Sequence, residues 1–151
     1  MYTEGKIVLI KSTAKTKEEV IKRLAAELYE KGYVTADFAD CVLNREKMYP
    51  TGLEFESLGV AIPHTDADKV KTPQIAFAVM ETPVIFQSMA DIEKEVEASL
   101  VFLLAIKKSD EQVLMLQKLV EILQNKEFLH KLQTALEKEE FIELIHQAGI
   151  R

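Results

Sequence analysis

Leu100 to Ile106 reads Leu-Val-Phe-Leu-Leu-Ala-Ile, seven apolar residues without interruption. A strand with one wet face alternates apolar and polar side chains, and this run does not. It is also far short of the ~20 apolar residues that span a bilayer. The run therefore predicts a strand buried on both faces, in a sheet that carries helices on each side. That requirement constrains everything else in the chain.

The flanking sequence supplies the helices. Thr16-Lys17-Glu18-Glu19 has the capping-box pattern, and Val20, Ile21, Leu24, Ala25 and Leu28 follow at helical spacing, with Gly32 as a stop. A second helix is predicted after Thr35, carrying Phe38, Cys41, Val42 and Leu43. It must end before Tyr49-Pro50, because a proline pushes the preceding residue out of the helical region. From 51 to 106 the pattern is β, with short apolar runs at Val60–Ile62, Ile75–Met80 and Val84–Phe86 before the long one. Ser109-Asp110-Glu111-Gln112 repeats the capping-box pattern and opens a helix expected to bury Val113, Leu116, Val120 and Leu123. Two further helical stretches carry Phe128, Leu129 and Leu132, then Phe141, Ile142 and Ile145. The fold class expected is α/β: one domain over residues 1–151, a sandwich with a mixed β-sheet flanked by helices on both faces.

Charge narrows the function. Nineteen Lys and Arg against 25 Asp and Glu leave −6, which argues against a general nucleic-acid or anionic-lipid binder. A local anion site remains compatible with it. The single cysteine, Cys41, excludes an internal disulfide framework or a cysteine metal cluster and suits the reducing cytoplasm. The first residues are too polar for a secretory signal, and direct membrane insertion is not expected. No G-x-x-x-x-G-K or G-x-G-x-x-G occurs, so a loop-cradled nucleotide is not expected either.

Of the three histidines, His130 and His146 lie in amphipathic helical stretches and read as ordinary helix residues. His64 differs. It follows Gly59-Val60-Ala61-Ile62-Pro63, where a short strand must stop, and ligands gather at the carboxyl ends of strands in helix-flanked sheets. Arg45 is one of three arginines in a lysine-rich chain, and arginine suits a forked grip on phosphate. Taken alone, Arg45 reads equally as a surface ion-pair partner near a helix C-terminus. Cys41 sits in an apolar helical stretch without a basic or glycine-rich loop, so it reads as a packing residue. The acidic run Asp91 to Glu97 reads as a solvated loop or edge.

Arg45-Glu46-Lys47, Pro50-Thr51-Gly52-Leu53 and Gly59-Val60-Ala61-Ile62-Pro63-His64-Thr65-Asp66 together resemble the type-2 enzyme IIA domain. This is the fructose/mannitol-type component of the bacterial sugar phosphotransferase system. The Pro-Thr-Gly-Leu and Pro-His-Thr-Asp forms are most similar to its galactitol-type branch. The resemblance implies a phosphocarrier and phosphotransferase component, in which His64 accepts a phosphoryl group from phospho-HPr. A cysteine on the IIB subunit would then receive it, for sugar brought in by the IIC membrane subunit. It implies Arg45 as the residue that steadies the phosphate, Thr65 as a further donor, and chemistry without metal or cofactor. IIB and IIC are expected as separate chains, and the sugar is not legible, because specificity lies with them.

Mannitol-type members carry a second active-site histidine where this chain has Gln112. An amide can donate a hydrogen bond there but cannot carry a proton. The preferred reading makes Gln112 the N3 residue of a capping box behind Ser109, leaving His64 to work with Arg45 and backbone donors. Two other functions fit the same residues less well. One is a regulatory IIA-like protein whose phosphorylated His64 controls a partner. The other is a hydrolytic enzyme using His64 as general base, for which only Asp66 and Asp68 are near in sequence.

Overall fold

The computed structural model describes residues 1–151. Its framework is a five-stranded sheet: β1 (Val8–Ser12), β2 (Gly52–Glu54), β3 (Gly59–Ala61), β4 (Gln74–Gln87) and β5 (Glu95–Ala105), in the order β1-β4-β5-β3-β2. β1 runs parallel to β4 and β3 parallel to β5, while β4–β5 and β2–β3 are antiparallel, so the sheet is mixed as expected. Helices α1 (Lys17–Glu30) and α2 (Phe38–Met48) cover one face. Helices α3 (Ser109–Ile122), α4 (Lys126–Thr134) and α5 (Lys138–Gln147) cover the other. No helix is long and apolar enough to cross a membrane.

β5 explains the unbroken apolar run. Leu100, Phe102, Leu104 and Ile106 pack on the α3–α5 side, whereas Val101, Leu103 and Ala105 pack on the α1–α2 side, and all seven are fully buried. The two faces differ in bulk. On the first, Phe77, Phe102 and Phe141 meet edge-on or tilted, with centroids 5.0–6.5 Å apart. Burying each such ring contributes roughly 1.5–3 kcal/mol. On the second, Ala61, Ala76, Ala78, Ala98 and Ala105 leave room for Ile21, Leu24, Leu28 and Phe38.

The helix ends follow the local signals. The Thr16 hydroxyl accepts from the Glu19 N–H at 3.1 Å, and the Glu19 carboxylate accepts from the Lys15 N–H at 2.7 Å. Gly32 at φ +79° closes α1, with the Tyr33 N–H donating to the Leu28 carbonyl and the Gly32 N–H to that of Tyr29. α2 ends at Met48, before Tyr49-Pro50, as the proline requires.

Three expectations need correction. Ile75–Met80 and Val84–Phe86 are one strand, β4, whose pairing with β5 shifts register between Val79 and Val84. The Glu81-Thr82-Pro83 segment between them forms an exposed irregularity that the strand passes through. On α3 Leu123 is buried as expected and Leu116 and Val120 are half-buried, but the deepest stripe is Met115, Leu119 and Leu123, and Val113 is exposed. Both stripes have helical spacing, and only the position of the sheet selects between them. Lastly, α3 begins at Ser109 itself, with Lys108 at the cap and no side-chain capping bond. Of the acidic run, Glu95 and Glu97 form the exposed alternation of β5 around buried Val96, and the rest is the preceding turn.

Candidate active site

The topology brings three separated segments to one edge of the sheet. β3 and β5 are parallel, so their carboxyl ends lie together. β2 is antiparallel to β3, and its first residue, Gly52, pairs with Ala61 at the end of β3. The last turn of α2 therefore arrives at the same edge, and α3 starts there directly after β5. Arg45, His64 and Gln112 come from these three segments.

His64 is held from both sides. The Leu104 N–H donates to the Pro63 carbonyl at 3.0 Å, which extends the β3–β5 pairing up to the residue before it. Its Nδ1 lies 2.9 Å from the Ile62 carbonyl oxygen. A carbonyl can only accept, so Nδ1 carries the proton and Nε2 keeps its lone pair. His64 is only 6% exposed. Arg45 Nε is the one buried side-chain nitrogen or oxygen without a partner, so Nε2, which makes no hydrogen bond, reaches solvent. Burial lowers the His64 pKa below the ordinary histidine value; the bond to Ile62 opposes that shift, and the Arg45 charge adds to it. The ring is a neutral imidazole with its nucleophilic nitrogen outward.

Arg45 projects from the last turn of α2. Its guanidinium lies over the Tyr49 ring at 5.2 Å and 3.8 Å from the Asp66 carboxylate, a loose pair with a largely exposed partner. It makes no hydrogen bond, so the donors of the fork are unspent. Such a fork suits an incoming phosphoryl group.

Gln112 does not cap α3. Because the helix starts at Ser109, Gln112 falls one position beyond the capping-box place, and its amide donates to the Thr65 carbonyl at 2.9 Å. The structure thus ties α3 to the residue after His64. Thr65 is buried and offers its carbonyl to Gln112, while its hydroxyl makes no hydrogen bond.

Glu46 was not singled out by the sequence, yet it is one of the most buried charged residues, at 2% exposure. Its carboxylate accepts from both the N–H and the hydroxyl of Thr51, each at 2.8 Å. Burial pushes its pKa up to about 7, against the two Thr51 bonds and the charge of Lys17. A usable signal was present: an acid in the last turn of a helix, beside Arg45 and Lys47, opposes the helix dipole.

Residues 1–148 match the family profile described as "Phosphoenolpyruvate-dependent sugar phosphotransferase system, EIIA 2". The chain belongs to this family. Among curated relatives, the galactitol-specific EIIA component of Escherichia coli K12 is 30% identical to this chain, over 78% of each. The Bacillus subtilis transcriptional regulator ManR is 37% identical over 70% of this chain, which spans only 15% of ManR's length. Among solved structures, the Escherichia coli complex of mannitol enzyme IIA with phosphorylated enzyme IIB aligns with a TM-score of 0.76 and 27% identity. That alignment covers 94% of this chain and 95% of that one.

The remaining candidates lie elsewhere in the EIIA fold. Cys41 is half-buried on α2, with its thiol directed to Asp37 at 3.9 Å. Burial and the Asp37 charge raise its pKa, which keeps it a thiol. His130 is exposed on α4. His146 is more than an ordinary helix residue: its Nε2 is 2.9 Å from the Thr3 hydroxyl, joining α5 to the first residues. Asp66 and Asp68 are exposed, and neither makes a hydrogen bond to His64. The clefts of about 460 and 540 Å³ lie among α3–α5 and between β1 and α1, away from His64.

Proposed function

We propose that this EIIA chain is a phosphocarrier that takes a phosphoryl group on Nε2 of His64 from phospho-HPr and gives it to a cysteine of a IIB subunit. The observation that carries this reading is the His64 ring itself. Its Nδ1–H is bonded to the Ile62 carbonyl, its Nε2 faces outward, and the fork of Arg45 lies alongside.

The chemistry follows from that arrangement. The Nε2 lone pair attacks phosphorus while the donor's P–N bond breaks, its electron pair returning to the donor imidazole. Nε2 has no proton to lose, so no base is required. The ring becomes positively charged, and the Ile62 carbonyl stabilises that charge through Nδ1–H. Arg45, with the Thr65 hydroxyl as a further donor, offsets the charge of the phosphoryl oxygens, and transfer is mostly positioning and charge stabilisation. In the second half-reaction a IIB thiolate attacks phosphorus and Nε2 leaves as a neutral imidazole.

The surroundings suit a protein partner. Met48 and Tyr49 at the end of α2, and Val113 and Leu114 on α3, are more than half exposed on the segments that carry Arg45 and Gln112. Exposed apolar side chains clustered beside a polar centre mark a protein-docking surface more than a sugar pocket. The mannitol enzyme IIA was solved with its phosphorylated IIB, which supports a IIB acceptor here. The relation to the galactitol-specific component supports a polyol transporter, with IIC engaged indirectly.

The test is incubation with phosphoenolpyruvate, enzyme I and HPr. One acid-labile, alkali-stable phosphate on the wild type and none on His64→Ala is expected. Equal labelling of both proteins would exclude the reading. The 37% identity to ManR favours a second use of the same histidine, as a phosphorylation sensor acting on a partner protein. Transfer of label onward to a IIB cysteine separates transport from sensing.

A further inference from the structure

Glu46 and Thr51 join the two halves of the site through a series of hydrogen bonds. The Thr51 N–H and hydroxyl both donate to the buried Glu46 carboxylate at 2.8 Å. The Thr51 carbonyl accepts from the Ile62 N–H at 3.2 Å. The Ile62 carbonyl accepts from His64 Nδ1–H at 2.9 Å. Every step lies within hydrogen-bond range, and both side chains at the start of the series, Glu46 and Thr51, are 2% exposed. The series begins one residue from Arg45, on the same helical turn, and ends on the reacting imidazole.

We infer that Glu46 and Thr51 are positioning residues that set the distance between Arg45 and His64 and fix the His64 tautomer. Pro50 breaks the chain between α2 and β2, so no backbone helix or ladder bond spans that junction. The Glu46–Thr51 clasp replaces it, tying the last turn of α2 to the first residues of β2. Thr51 hands the constraint to the β3 end through Ile62, and bonds in such a chain polarise one another. Loss of the clasp lets α2 and the β3 end move independently, and a misplacement near 1 Å is enough to slow transfer about a hundredfold. Neither residue touches the phosphoryl group.

This inference rests on the phosphocarrier reading for its kinetic part, and the spectroscopic part stands without it. Four proteins are compared: wild type, Glu46→Leu, Glu46→Gln and Thr51→Val. Glutamine keeps an acceptor for the Thr51 N–H and a donor for its hydroxyl, whereas leucine keeps neither. The ¹⁵N shifts of the His64 ring report the tautomer, and transfer from phospho-HPr gives kcat and KM separately. In Glu46→Leu we expect a mixed tautomer and a kcat lower by about ten- to a hundredfold with KM unchanged. Glu46→Gln restores both values. Thr51→Val lies between, and it carries the test if Glu46→Leu does not fold by circular dichroism. A folded Glu46→Leu or Thr51→Val with wild-type tautomer and kcat overturns the inference, as does a Glu46→Gln that fails to restore them. Failure of wild-type labelling with an altered tautomer in Glu46→Leu would remove the carrier reading and leave the coupling in place.

Discussion

His64 donates from Nδ1 to the carbonyl of Ile62, two residues earlier in its own chain, across 2.9 Å. A histidine oriented by the backbone of its own strand end needs no acidic partner to choose its tautomer. It also leaves a ring whose charge state depends mainly on burial.

The pH dependence of phosphoryl acceptance follows. Because burial lowers the His64 pKa, the nucleophilic neutral ring persists below the ordinary histidine value of 6.5. The acid limb of the pH–rate profile is expected to have its midpoint below pH 6.5, measured at saturating phospho-HPr with HPr's own titration determined separately. The sign for stability is set by the same shift. Between the two pKa values the unfolded chain binds more protons, so this contribution is lost as pH falls through that window.

Arg45→Lys is expected to behave much like Arg45→Ala. The guanidinium lies over the Tyr49 ring, and an ammonium cannot reproduce two parallel donors. A loss of about 10²–10³ in kcat is expected for alanine, and lysine recovers little of it. Single-turnover transfer from phospho-HPr measures both, and a lysine variant at wild-type rate would show that charge alone suffices.

Gln112→Leu tests the amide bond to Thr65 with little change in volume. The lost hydrogen bond costs about 0.5–1.5 kcal/mol of stability, read from urea unfolding. The phosphoryl-transfer rate is expected to fall only a few-fold, because the amide acts on the Thr65 backbone and not on Nε2.

Glu46 gives a stability signature of the opposite sign to His64. Its folded pKa is raised to about 7 from the ordinary 4.5, so the folded protein binds more protons between these values. The unfolding free energy of the wild type relative to Glu46→Gln is expected to fall as pH rises from about 4.5 to about 7, and to be level above that. Denaturant titrations of both proteins at pH 4.5, 6 and 8 provide the check. A difference independent of pH would show that Glu46 titrates normally.

Much of the molecule was legible before folding. The buried strand, the capped first helix, the stop at Gly32 and the placement of His64 beyond Pro63 all follow from neighbours within a few residues. Interactions of that range leave a periodic or capping pattern that the chain displays directly. Ser109 to Gln112 departs from its local signal: the capping-box pattern is present, yet the helix starts one residue early and the amide goes to Thr65. A capping bond and a tertiary bond compete for the same donor, and the local pattern contains only one of the competitors.

The sequence by itself determined the element types, the two-sided burial of Leu100–Ile106 and the choice of His64 as the candidate histidine. Only the tertiary structure decided which side chains surround it. The segments that carry Arg45, Thr51, His64 and Gln112 converge because parallel β3 and β5 share an edge with the start of β2. The burial of Glu46, the amide bond from Gln112 to Thr65 and the choice of stripe on α3 depend on that meeting. Each is set by desolvation or by packing against elements distant in the chain, which leave no mark on local spacing.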